Sequence, residues 1–82
     1  MGNIKKLYEV YYDKICELLD NSPCLRGDTL VIYGALGASS KISGQNRRNK
    51  IRICKKYGFN KIKILEKNEI IGYNIILDTS KR

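Results

Sequence analysis

The chain contains no histidine, no tryptophan, one proline and no acidic side chain anywhere between Thr29 and Leu65. Each absence removes a class of function. Without histidine, the commonest general base, zinc ligand and near-neutral proton switch is gone. Three cysteines, Cys16, Cys24 and Cys54, stand too far apart in sequence to form a CxxC pair, so no metal site and no cofactor is expected. A polar loop holding Ser39, Ser40 and Lys41 has no carboxylate nearby to complete acid/base chemistry, and no enzyme is expected. No apolar run reaches the roughly 18 residues of a membrane span. Odd, unpaired cysteines without a signal-peptide pattern lead us to expect the reducing cytoplasm.

What the chain does contain is cationic charge, unevenly spread. Its 82 residues carry 16 Lys/Arg against 8 Asp/Glu, a formal net charge of +8. The segments before Thr29 and after Leu65 are close to neutral. Between them lie Lys41, Arg47, Arg48, Lys50, Arg52, Lys55, Lys56, Lys61 and Lys63 with no opposing acid. A block of one sign concentrates potential and attracts polyanions, whereas a surface charged for solubility intersperses both signs. These nine residues are therefore the candidate binding site. Ser39, Ser40, Gln45, Asn46 and Asn49 are candidate hydrogen-bonding partners for the same ligand.

The length suits one domain, residues 1–82, since a chain this short cannot divide its apolar residues between two cores. Ile4, Leu7, Tyr8, Tyr11, Ile15, Leu18 and Leu19 recur at helical spacing, predicting an amphipathic helix over 3–20 with Asn3 as N-cap. The β-branched and aromatic run Thr29-Leu-Val-Ile-Tyr33 predicts a strand over 29–34. A Gly/Ser loop over 34–45 leads to a basic helix over 46–57, whose Ile53, Cys54 and Tyr57 share a docking face and whose Ile51 falls among the cations. Alternation through Ile62, Ile64, Ile71, Tyr73, Ile75 and Leu77 predicts a β-hairpin over 60–77. Gly72 would then mark a bulge, and the tail from Asp78 would fray.

These elements make an α+β fold, helix-strand-helix-hairpin, with a three-stranded sheet and the helices on one face. The alternative is a winged helix-turn-helix, in which the Thr29 segment is helical and the basic helix enters a major groove. The loop GALGASSK matches neither GxxxxGK[ST] nor GxGxxG, which argues against a nucleotide cofactor but leaves a loop able to hydrogen-bond phosphate.

Both folds point to a small, non-enzymatic nucleic-acid-binding protein, DNA or RNA, acting as a regulator. Five to eight neutralised phosphates imply a slope of about −4 to −7 in log affinity against log salt on duplex DNA. The second expectation is an inhibitor or adaptor of the kind phages and mobile elements carry. It would dock its basic face on an acidic protein surface, for instance in a nucleic-acid-handling complex such as a CRISPR effector. Exposure of Ile51, Tyr12 or Leu36 beside the cations would favour that reading, because protein hot spots are apolar or aromatic. A homodimer through an edge strand is the assembly open to so small a sheet.

Overall fold

The computed structural model describes residues 6–23, 25 and 27–80. The order is α1 (Leu7–Asp20), β1 (Thr29–Gly34), α2 (Ser39–Ser43), a 3₁₀ turn (Gln45–Arg47), α3 (Arg48–Tyr57), β2 (Lys61–Glu66) and β3 (Ile76–Ser80). The chain is α+β as expected, and because Thr29–Gly34 is a strand the winged-helix alternative falls. Asn3 and Ile4 lie outside the described residues; within them the helix starts after Lys6, which makes no side-chain cap.

The sheet is where expectation and structure part. Strands β2 and β3 do not form a hairpin. Their order is β2-β1-β3, with β1 parallel to β2 and antiparallel to β3. Two physical reasons favour this. The segment Glu66-Lys67-Asn68-Glu69 offers none of the Asn-Gly or Asp-Gly chemistry of a tight hairpin turn. The strand with the most continuous apolar content, β1, gains most from a neighbour on both sides, while the lysine-bearing β2 tolerates an edge. The chain therefore crosses from the end of β2 to the far side of β1. Gly72 lies in that crossing at φ 68° rather than in a strand. Asp78 and Thr79, expected to fray, are paired with Val31 and Leu30.

All three helices lie on one face of the sheet. Leu30 and Ile32 of β1 and Ile62 of β2 meet Tyr11, Ile15 and Leu19 of α1, Ile42 of α2 and Ile53 of α3, with Phe59 and Ala38 closing the core. Gly34 continues the inward row. A Cβ there would sit 2.5 Å from Ile42 Cδ1, so any larger residue would force the end of the buried Ile42 side chain to shift. Helix α1 runs beside α3 in the same direction. Tyr8 meets Asn49, Tyr12 meets Arg52, and Cys16 and Asp20 meet Tyr57. The expected docking residues Ile53, Cys54 and Tyr57 do turn inward, but Asn49 joins Ile53 as a fully buried member of the helix.

Candidate nucleic-acid interface

The nine cations do not form one surface. Arg47, Lys50, Lys55 and Lys61 line a groove of about 430 Å³ between α3 and the free edge of β2, together with Ile51, Cys54, Asn60 and Ile62. No acidic side chain lines this groove. Arg52 and Lys56 face the other way. The Arg52 guanidinium stacks 3.9 Å above the Tyr12 ring on α1, and the Lys56 ammonium lies 5.4 Å from the Tyr57 ring centre. Lys63 stands on the sheet face away from the helices, while Lys41 and Arg48 are exposed on α2 and at the start of α3. A second depression, of about 290 Å³, continues from Lys50 along β2 past Ser39, Ser40, Ser43 and Ile64.

A strained turn aims Arg47 into the groove. Asn46 and Arg47 occupy the left-handed region at φ 56° and 59°, and Arg47 precedes the first residue of α3. Asparagine tolerates this conformation; arginine does so at a cost of about 1 kcal/mol. The charge is misplaced too, since Arg47, Arg48 and Lys50 crowd the positive end of the helix dipole and no acid occupies the first turn. Replacing Arg47 with glycine is therefore expected to raise the unfolding free energy by about 0.5–1 kcal/mol in urea titration. A loss of stability of that size would show that Arg47 holds the turn.

Cys54 sits half-buried at the groove floor. Burial pushes its thiol above the ordinary range, opposed by the Lys50 ammonium, so it stays protonated at neutral pH. Tyr57 is pushed up by burial and by its hydroxyl donating to Asp20 Oδ1 at 2.8 Å. It ties α3 to α1 and contributes nothing to the groove.

The end of the glycine loop already holds an anion of the chain itself, the Glu66 carboxylate. The Ser39 amide donates to Glu66 Oε2 at 3.3 Å, and the Lys67 amide to the Gly34 carbonyl at 2.9 Å. The Ser39 hydroxyl, followed by the Gly37 and Ser39 amides, holds the Glu66 carboxyl below the usual carboxylate range. Because this pKa falls on folding, the interaction stabilises above the ordinary carboxylate range and is lost as pH drops through the lowered value. Only the parallel pairing that sets Glu66 beside Gly34 brings this carboxylate to the loop.

Asn49 is also removed from the ligand-binding set. It is 1% exposed, and its amide donates to the carbonyls of Tyr8 and Ile42. The Gln45 side chain lies outside the described residues. Among the described residues no three His, Cys, Asp or Glu side chains gather to hold a metal ion, and no helix is long and apolar enough to cross a membrane. No family model, curated protein or solved structure matches the chain.

Proposed function

We propose that the protein binds nucleic acid non-enzymatically, with the groove between α3 and β2 taking the phosphate backbone. The observation that carries this reading is the convergence of Arg47, Lys50, Lys55 and Lys61 on one acid-free groove. Two of these cations are set by features unfavourable to the helix itself, a left-handed arginine and positive charge at a positive helix end. Exposed cations on one concave surface neutralise successive phosphates and release their counterions. Ser40 and Ser43 of the adjoining depression supply neutral hydrogen bonds along the same line.

The test is fluorescence anisotropy of labelled duplex DNA, single-stranded DNA and RNA over a salt series. Four groove cations imply a slope of about −3 to −4 on duplex DNA, shallower than all nine would give. Absence of binding at low salt to all three nucleic acids would end the proposal.

A second reading has one specific observation in its favour. Ile51 is 53% exposed inside the cationic groove, and Leu36 is exposed as well, whereas Tyr12 is half-buried beneath Arg52. An apolar anchor ringed by cations is what an acidic protein surface would engage. On that reading the protein is an inhibitor or adaptor of a nucleic-acid-handling complex. Ile51→Ala separates the two: it would abolish docking on a protein and leave salt-dependent nucleic-acid affinity nearly unchanged.

A further inference from the structure

The sheet has a second face that none of the three helices covers. Side chains alternate along a strand, so Thr29, Val31 and Tyr33 point away from the core that Leu30 and Ile32 enter. Register places Tyr33 between Leu65 and Ile76, and Val31 between Lys63 and Asp78. Leu65 is 46% exposed and Ile76 53%, with the half-buried Tyr33 between them, so this row forms an apolar ledge with an aromatic ring at its centre. The Lys67 ammonium lies 4.5 Å from the centre of that ring. Lys61 and Lys63 stand on the same side, against the one carboxylate of Asp78.

We infer that this sheet face is a second contact surface for single-stranded nucleic acid, with an unpaired base stacked on Tyr33. The inference rests on the nucleic-acid reading of the groove and names its preferred partner. A tyrosine on the central strand offers a π-face to any base, and the flanking Leu65 and Ile76 widen it into a flat apolar platform. A duplex keeps its base faces stacked internally and cannot use such a platform. Charge favours the same occupant, because Lys61, Lys63 and Lys67 flank the ledge with phosphate partners. A base entering over Tyr33 displaces the Lys67 ammonium from the ring and leaves it beside the adjoining phosphate. Lys61 also lines the groove. One strand can therefore pass from the groove around the edge of β2 onto the sheet without leaving positive potential.

The absence of tryptophan supplies the probe, since Tyr33→Trp introduces the sole indole of the chain. The full-length variant is titrated with an oligodeoxythymidine of about 20 nucleotides and, separately, with heparin, a polyanion without bases. Quenching of the introduced indole by the oligonucleotide but not by bound heparin is the expected result. Tyr33→Leu, which keeps a strand-compatible apolar side chain, is expected to weaken oligonucleotide binding about 5- to 100-fold while heparin affinity stays within about twofold. Tyr33→Phe should retain the affinity. Oligonucleotide binding without quenching, or with equal affinity in the leucine variant, would overturn this inference and leave the groove proposal standing. Failure of every nucleic acid to bind in anisotropy would remove both. An indole emission spectrum that shifts with protein concentration alone would assign the face to a second copy of the chain and overturn the inference.

Discussion

Reversing Lys50 and Lys55 to glutamate together should weaken nucleic-acid binding about 100-fold at low salt and flatten the salt slope by about 2. Both ammonium groups line the groove, on either side of Ile51. Their replacement removes two phosphate contacts and puts repulsion in their place, worth about 1 kcal/mol or more at each position within a Debye length of the backbone. The stability of the fold should hardly change, because both residues lie outside the core cluster. The companion variant Arg52→Glu with Lys56→Glu carries the same change in net charge on the other side of α3, where Arg52 stacks on Tyr12 of α1 and Lys56 lies by Tyr57. It should cost less than about fivefold if the groove is the site, and as much as the first pair if only net charge matters. Anisotropy at matched ionic strength, with circular dichroism to confirm folding, decides between them. Equal losses would mean that polyanions sense the whole molecule and that the groove has no special role.

The contrast between those two pairs shows how far the sequence carried. Charge clustering is local, so the basic helix and the block of nine cations around it were legible from residue types alone. Which four of the nine converge was not, because that depends on the side of α3 against which α1 packs. A helical wheel places Arg52 and Lys55 in the same cationic arc; only the partner helix, bringing Tyr12 under Arg52, assigns them to different surfaces. Strand identity was legible as the favoured reading for Thr29–Gly34, whose β-branched run prefers strand over the helical alternative. Strand order was not, since period-two alternation says which side chains share a face and nothing about the neighbouring strand. The difference has chemical consequences. A hairpin would have kept Glu66 at an exposed tip, whereas parallel pairing with β1 brings its carboxylate to the glycine loop and fills the anion site that the loop resembled.

Asn49 is the residue whose role the sequence concealed most completely, and its substitution should have the largest effect on stability. Surrounded by arginines and lysines, it reads as one more polar side chain on a solvated helix. In the fold its amide donates to the Tyr8 carbonyl at 2.8 Å and the Ile42 carbonyl at 3.0 Å, joining α3 to α1 and to α2 in one contact. The neighbouring backbone is shaped to admit it. Gly44 sits at φ 82°, which disfavours a side chain, and a Cβ there would press on Asn49 Cγ at 3.2 Å. Asn49→Ala removes both hydrogen bonds and leaves the Tyr8 and Ile42 carbonyls without that donor, a loss of about 2–4 kcal/mol. A domain of this size holds only about 4–12 kcal/mol in total. Asn49→Asp should be worse at neutral pH, because a buried carboxylate would face two carbonyl oxygens with no proton to give. Its pKa would rise on folding, so the variant should regain stability as pH falls and the protonated acid donates to one carbonyl. Urea unfolding of both variants at pH 7 and pH 4, referenced to the wild-type protein, measures this directly. Equal midpoints for Asn49→Asp and wild type at pH 7 would show that the amide clamp does not hold the helices together.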